Sequence, residues 1–273
     1  MSEQIVIAAF YKFVPLPDFR DIQKSLRAFC DEHHIKGSIL LAAEGINGTI
    51  AGTRRDMDAT LAYLRRDSRM SDMVHKESYA DEIPFRKMKV RLKREIVTLG
   101  VDVDPNAQVG TYVEPEEWNT LISDPNVLLI DTRNSYEYEV GTFNGAVDPQ
   151  TASFSEFTDY VQQQLADQKD KKIAMFCTGG IRCEKATSYL KDQGFENVFH
   201  LKGGILRYLE NIPQENSLWQ GDCFVFDERI TVTQDLKPGQ VQFCKQCNRV
   251  IAEDTATCPY CGQPLQQTET PTE

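Results

Sequence analysis

The stretch "CTGGIRC", Cys177 to Cys183, combines residue types that can support nucleophilic chemistry. It follows an apolar segment and precedes a segment with a helical pattern. A turn between a parallel strand and a helix directs its backbone N–H groups towards one point, near the positive end of the helix dipole. A cysteine at the end of such a strand has its thiolate form favoured, and we therefore predict that Cys177 is a nucleophile.

The residues that follow Cys177 fit this role. Gly179 and Gly180 let the backbone curl around the sulfur because glycine accepts positive φ values. Thr178 can add a hydroxyl donor, and the positive charge of Arg182 can favour the thiolate further. Two other interpretations remain open: Cys177 could be an inert buried cysteine, and Arg182 could face solvent at the start of the helix.

The second cysteine and the length of the loop bear on the type of chemistry. Cys183 could resolve a sulfenate or persulfide on Cys177, or it could simply pack in the first turn of the helix. Four residues separate Cys177 from Arg182. Cysteine-based phosphatases place five residues there, so the shorter loop suits sulfur or another compact group and argues against phosphatase activity.

The segment "CKQCNRVIAEDTATCPYC" contains four more cysteines, in two Cys-x-x-Cys pairs with ten residues between them: Cys244, Cys247, Cys258 and Cys261. Two such pairs form a closed tetrahedral site, which predicts a structural zinc ion in a zinc-ribbon-like extension. Two disulfides or metal-free thiols are the alternatives. A small zinc module of this kind could also help to bind RNA.

The elements that must position these groups follow two patterns. The first part reads as strand, helix, two strands, helix and strand, which is the βαββαβ order of a ferredoxin-like sandwich. The first helix is predicted at Leu16 to His34, and Thr53 can cap the second. The predicted strands are Ile5 to Tyr11, Ser38 to Ala43, Gly48 to Gly52 and Phe85 to Lys93. After a linker at 99–112, strands and helices alternate to about residue 211. That alternation predicts an α/β domain with a parallel sheet covered on both sides.

The last strand of the first part is rich in cations. Period-two alternation in "FRKMKVRLK" separates apolar side chains from a row of positive charges: Arg86, Lys87, Lys89, Arg91 and Lys93. The formal net charge of the chain is −11, yet residues 1–100 hold 17 Lys and Arg against 14 Asp and Glu. A solvated outer face would explain the strand, but we expect a phosphate backbone to bind there if the protein has a polyanionic partner.

Several segments resemble known proteins. "DTRNSYEYEVGTFNGAVDP" at 131–149 resembles the rhodanese-domain signature, "CTGGIR" resembles the rhodanese active-site loop, and "LKGGI" at 201–205 resembles the segment that closes that domain. Three further segments extend the resemblance beyond that domain: "LLAAEGINGTIAG", "PFRKMKVRLKREIVTLG" and "GDCFVFDERI". Together they make the chain up to about residue 261 similar to the bacterial rhodanese-domain tRNA uridine hydroxylases.

This resemblance implies a tRNA modification enzyme that adds oxygen to carbon 5 of the wobble uridine, giving 5-hydroxyuridine, with molecular oxygen as co-substrate. Cys177 matches the essential loop cysteine of the family, and we expect Asp131 and Arg133 to brace the loop through an ion pair. A thiolate or persulfide on Cys177 could add to carbon 6 of uridine and make carbon 5 electron-rich. The alternatives are a rhodanese-type sulfurtransferase that carries a cysteine persulfide and a non-catalytic RNA-binding scaffold.

Other features set the expected cofactors, location and domains. No GxGxxG turn indicates a flavin or nicotinamide site. The chain shows no run of 18 apolar residues and no leader, which predicts a cytoplasmic protein without a membrane partner. The predicted domains are a ferredoxin-like, tRNA-binding domain at 1–98, a catalytic rhodanese-like domain at 112–215, an extension with the four-cysteine motif at 216–265 and a disordered tail at 266–273.

Overall fold

The first half of the chain folds into one sheet with two helices on one side. The structure is a computed structural model that describes residues 4–247 and 249–265. The elements of this half are β1 (Ile5–Phe13), α1 (Phe19–Glu32), β2 (Lys36–Ala42), β3 (Gly45–Gly52), α2 (Arg54–Arg65), β4 (His75–Ala80) and β5 (Met88–Leu92). The side chain of Thr53 accepts a hydrogen bond from the backbone N–H of Asp56 and so caps α2.

The strand order is β4-β1-β3-β2-β5. The first four strands have the arrangement of a ferredoxin-like sandwich, so this part of the predicted fold class is confirmed. The fifth strand is an addition: β5 runs parallel to β2 and forms an edge of the sheet. The basic strand is therefore not the fourth strand of the βαββαβ motif, as the sequence pattern predicted, but an extra one.

The strand that the sequence analysis missed is β4. Its sequence, "HKESYA", has no apolar alternation because both of its faces carry polar side chains. Glu77 pairs with Arg54 of α2 on one face, and Ser78 accepts a hydrogen bond from Arg229 on the other. Polar contacts rather than apolar burial hold this strand, and a hydrophobic pattern could not reveal it.

Two smaller predictions were also wrong. The residues Gly45 to Asn47, expected in a turn, belong to β3, and the turn lies at 43–44. Gly45 permits this because its φ is +146° and a Cβ atom there would lie 2.0 Å from the backbone oxygen of Lys12. The first helix begins at Phe19, after the prolines at 15 and 17, rather than at Leu16.

The two faces of this sheet have different partners. Val6, Ala8 and Phe10 of β1 pack in a core with α1 and α2. The alternate face carries Tyr11 of β1, which contacts the second half of the chain. Strand register places one residue from each strand in a row on this second face: Lys76, Ala9, Thr49, Ser38 and Lys89.

The second half contains a parallel sheet of order β6-β10-β9-β7, as the sequence predicted. Its elements are β6 (Thr111–Val113), α3 (Pro115–Ile122), β7 (Val127–Asp131), α4 (Ser135–Tyr138), β8 (Gly141–Phe143), α5 (Phe157–Tyr160), β9 (Lys172–Phe176), α6 (Ile181–Asp192), β10 (Val198–Leu201) and α7 (Gly204–Asn211). Apolar cores lie on both faces of this sheet.

Helix α6 is buried along most of its length, including its charged residues. Tyr11 and Tyr112 both donate hydrogen bonds to the carboxylate of Glu184, at 2.8 and 2.6 Å. The ammonium of Lys185, 1% exposed, pairs with Glu44 at 2.8 Å and Glu95 at 2.6 Å. This helix therefore joins the parallel sheet to the first half of the chain.

The C-terminal part adds five short strands: β11 (Trp219–Gly221), β12 (Cys223–Phe224), β13 (Thr231–Val232), β14 (Val241–Phe243) and β15 (Val250–Ala252). β11 pairs with β8, and the other four form two hairpins. No helix in the described ranges is long and apolar enough to cross a bilayer. The tail predicted to be disordered, 266–273, lies outside the described residues.

Candidate active site

Cys177 lies directly after β9, at the carboxyl edge of the parallel sheet, and is buried. The backbone N–H of Gly180 donates a hydrogen bond to its sulfur at 3.1 Å. Gly180 has a φ of +103°, and a Cβ atom there would lie 2.9 Å from the hydroxyl of Tyr11. Glycine at this position thus allows the loop both to turn back on the sulfur and to pack against the first sheet.

The "LKGGI" segment holds the loop from the other side. The N–H groups of Ile205 and Leu206, in the first turn of α7, donate to the carbonyl oxygens of Cys177 and Thr178 at 2.9 and 3.1 Å. Gly204 has a φ of +67°, and a Cβ atom there would lie 2.4 Å from the carbonyl oxygen of Cys177. The second glycine of this motif is therefore required for α7 to reach the reactive loop.

Arg182 is buried and paired, so it does not face solvent. Its guanidinium makes two hydrogen bonds to the carboxylate of Glu137, at 2.6 and 2.8 Å. Glu137 also accepts a long hydrogen bond from the hydroxyl of Thr178, at 3.4 Å. The role of Glu137 was not predicted, although the rhodanese-like signature contains this residue. The backbone N–H of Asn134, before the short helix α4, donates to its carboxylate at 3.2 Å and helps to fix its position.

The surroundings of Cys177 favour its ionised form. Burial raises the pKa of this thiol, but a hydrogen bond from Cys183, the positive charge of Arg182 and the backbone N–H groups of Cys183 and Gly180 outweigh burial and lower the pKa to about 5. Burial raises the pKa of Cys183 well above its usual value. The two cysteines of the loop therefore differ: Cys177 carries the charge and Cys183 keeps its proton.

The remaining expected loop residues are also at the site. Asp131, the last residue of β7, and Arg133 form a fully buried ion pair at 2.6 Å. Between them in the chain, the hydroxyl of Thr132 donates to the carbonyl of Phe176 at 3.0 Å and lies 3.6 Å from the sulfur of Cys183. This segment supports the end of the strand that carries the nucleophile.

The first half of the chain covers the loop, which the sequence analysis did not predict. The ammonium of Lys76, on β4, donates to the carbonyl oxygen of Gly179 at 2.7 Å and also to that of Gly203. Nearby, burial raises the pKa of Glu184, and its hydrogen bonds from Tyr112 and Tyr11 oppose this effect. Because the contacts of Lys76 and Tyr11 join residues more than 100 positions apart, no local sequence pattern indicates them.

The basic strand does not reach the loop. Met88 and Val90 are buried in the core, whereas Lys87, Arg91 and Lys93 are exposed. Arg86 pairs with Glu228 at 2.9 Å. Lys89 occupies the same row of the sheet as Lys76, at the opposite edge, four strand spacings or about 19 Å away.

The four C-terminal cysteines form a separate site. Their sulfur atoms all lie within 4.8 Å of one another, and all four are free thiols. The Cys244–Cys261 and Cys247–Cys258 sulfur pairs are 3.6 and 3.7 Å apart. A tetrahedral zinc ion with bonds of about 2.3 Å places its sulfur ligands about 3.8 Å apart, so these residues can hold a structural metal ion.

Comparisons with known families agree with both halves of the fold. Residues 5–96 match the model of the UPF0176 acylphosphatase-like domain, and residues 114–211 match that of the rhodanese-like domain. The chain has the architecture of the UPF0176 rhodanese-domain tRNA hydroxylase family. The family resemblance seen in the sequence is thus confirmed, and the loop with Cys177 belongs to a rhodanese-superfamily enzyme.

Solved structures with some likeness to the chain include three rhodanese-related proteins. A rhodanese-like domain from Anabaena sp. is 20% identical, with 41% of this chain and 80% of that chain covered and a TM-score of 0.35. A rhodanese-related protein from Thermoplasma volcanium is 22% identical, with coverage of 38% and 95% and a TM-score of 0.31. A human single-domain sulfurtransferase is 22% identical, with coverage of 39% and 100% and a TM-score of 0.34.

Alkylation should distinguish Cys177 from the other buried thiols. We expect its rate of reaction with iodoacetamide to rise as the pH increases through about 5 and then to level off, because only the thiolate reacts. Burial raises the pKa of both Cys30 and Cys223 to about 12, so these thiols should stay unmodified at pH 7. Peptide mass spectrometry measures each site; a Cys177 rate that still climbs between pH 7 and 9 would contradict the assignment.

Metal analysis tests the C-terminal site. The purified chain should contain about one zinc ion, and Cys244→Ser or Cys258→Ser should remove most of it, because a closed site needs all four sulfur ligands. Cys177→Ala, which removes a cysteine outside the cluster, should retain the metal. Equal zinc content in all of these proteins would show that the cluster is not the metal site.

Proposed function

We propose that this protein hydroxylates carbon 5 of the wobble uridine in tRNA, with Cys177 as nucleophile and molecular oxygen as co-substrate. The observation that carries the proposal is the buried, low-pKa thiol in a rhodanese-like loop that a UPF0176 domain covers. A single-domain sulfurtransferase needs no second domain at its loop. The presence of one here favours a large substrate that both domains recognise.

The chemistry follows from the state of Cys177. Its thiolate adds to carbon 6 of uridine, and the electron pair of the C5–C6 double bond moves onto the C5–C4–O4 enolate. Carbon 5 is then nucleophilic enough to take one oxygen atom from the oxidant. Loss of the carbon 5 proton and of the sulfur restores the ring. The second atom of molecular oxygen leaves as water, which requires two electrons and two protons from a reductant.

The first sheet offers a surface for the RNA backbone. Lys87, Lys89, Arg91 and Lys93 form no ion pair with any described carboxylate. Lys89 lies on the same sheet face as Lys76, which covers the reactive loop. A phosphate backbone bound along β5 would therefore run beside the face of the sheet that meets the loop.

An exposed aromatic ring lies beside the loop and suits a nucleobase. Phe226 is 61% exposed, and its ring centre is 5.9 Å from the guanidinium carbon of Arg182. Phe224 packs edge-on against this ring at 5.4 Å, and Tyr136 in turn packs edge-on against Phe224 at 5.2 Å. Such a ring provides a stacking platform for a base, and we place the target uridine or its neighbour there.

A sulfurtransferase is the second candidate. The N–H of Gly180 directed at the sulfur of Cys177 would stabilise a terminal persulfide as well as a thiolate. The same loop is therefore compatible with transfer of sulfur to a small acceptor. Assays on the substrate separate the two reactions.

Nucleoside mass spectrometry tests the proposed reaction. We expect purified protein, incubated with unmodified tRNA and a thiol reductant under ¹⁸O₂, to form 5-hydroxyuridine that carries ¹⁸O, and Cys177→Ala to lower its yield at least about 100-fold, since the sulfur activates the ring. Cys30→Ala, at a buried cysteine far from the loop in sequence, serves as a control for cysteine removal. If Cys177→Ala hydroxylates tRNA normally, the mechanism is wrong; if only persulfide transfer to cyanide is observed, the protein is a sulfurtransferase.

The basic strand can be tested by salt dependence. The triple variant Lys87→Gln, Lys89→Gln and Arg91→Gln should weaken tRNA binding and make it less sensitive to salt, because fewer counterions are released from the RNA. A matched triple variant at exposed cations of the helices, Arg20→Gln, Lys24→Gln and Arg55→Gln, should bind as the wild type does. Unchanged affinity and salt slope in the strand variant would place the RNA elsewhere.

A further inference from the structure

Lys76 is the one residue of β4 whose side chain enters the reactive site. It is partly buried, and its ammonium donates to the carbonyl oxygens of Gly179 in the reactive loop and Gly203 before α7. These two segments hold the sulfur between them: the N–H that follows Gly179 reaches Cys177, and α7 binds the carbonyl of Cys177. Lys76 therefore joins both walls of the site from a different domain.

The charge balance around the loop shows why this lysine matters. Arg182 is the cation of the loop itself, and its charge lowers the pKa of Cys177 although it also makes a bidentate pair with Glu137. Lys76, in contrast, forms no ion pair with any carboxylate in the described part of the chain. Carbonyl oxygens solvate its ammonium without neutralising it, so its full positive charge acts on the site.

The two groups influence each other. Burial lowers the pKa of Lys76 to about 8, and the charge of Cys177 is the strongest influence in the opposite direction. Electrostatic coupling is reciprocal, so the ammonium must favour the thiolate to the same degree. The other charged or titratable groups that act on Cys177 or Lys76 are Tyr11, Arg182, Cys183, Glu184, Arg207, Glu210 and Cys223.

We infer that Lys76 is a positioning residue for the reactive loop and that its charge makes the nucleophilicity of Cys177 depend on the N-terminal domain. The isolated rhodanese-like loop has Arg182 but lacks this second cation. The first domain consequently contributes to the ionisation of a sulfur in the neighbouring domain. The inference rests on the proposed function only in taking Cys177 as the reactive group.

The test measures the thiolate directly in the full-length chain, without RNA. Iodoacetamide alkylation of Cys177 is followed by peptide mass spectrometry between pH 4 and 8, and the midpoint and the plateau of the rate are fitted separately. Lys76→Gln retains donors for the carbonyls but removes the charge, whereas Lys76→Arg retains the charge. Lys24→Met, at an exposed lysine of α1, is the control, and circular dichroism verifies that each variant is folded.

We expect Lys76→Gln to move the midpoint up by about one pH unit, which at the wild-type midpoint slows alkylation about fivefold. Lys76→Arg and Lys24→Met should keep the wild-type midpoint. An unchanged midpoint in Lys76→Gln would overturn the inference, and so would an equal shift in Lys76→Arg, which would indicate packing rather than charge. A change in the plateau alone would mean that Lys76 affects only the access of the reagent to Cys177, and this result would also overturn the inference. Because no RNA is present, each result stands whether or not the protein proves to be a hydroxylase.

Discussion

A negative charge on a sulfur atom shielded from solvent is the condition on which the rest of this active site depends. Water would normally solvate such a charge, and its removal costs several kcal/mol unless fixed dipoles and cations replace it. Here the backbone N–H of Gly180, the proton of Cys183 and two cations perform that task. The positive φ angles of Gly180 and Gly204, the tight approach of α7 and the buried Arg182–Glu137 pair are all consequences of this one requirement.

The two cations contribute in different ways. Arg182 is held by Glu137, so it orders the loop, and its charge also lowers the pKa of Cys177. Lys76 belongs to another domain and bonds only to carbonyl oxygens at the loop. The site thus has one cation that is paired with a carboxylate and fixed within the loop, and a second that another domain supplies and that no described carboxylate pairs with.

The features of the fold and the site that could be predicted from the sequence are those whose residues lie close together in the chain. The loop residues Cys177 to Arg182 are contiguous, and their glycines indicate the turn directly. The spacing of the four C-terminal cysteines likewise predicts that they form a cluster. In contrast, β4 was missed because its polar side chains are satisfied by α2 on one face and by the C-terminal extension on the other. Lys76 and Tyr11 were missed because each meets its partner only through the packing of two domains.

Helix α6 carries two consecutive charged residues into the contact between the domains: Glu184 towards Tyr11 and Lys185 towards Glu44 and Glu95. If the rhodanese-like domain stood alone, Glu184 would keep only its hydrogen bond from Tyr112 and Lys185 would lose both of its carboxylate partners, and an unpaired buried charge is strongly destabilising. Helix α6, which begins at the active site, therefore also holds the two halves of the chain together. In evolutionary terms we therefore expect the two domains to be inherited together, with a change at Lys185 accompanied by changes at Glu44 and Glu95.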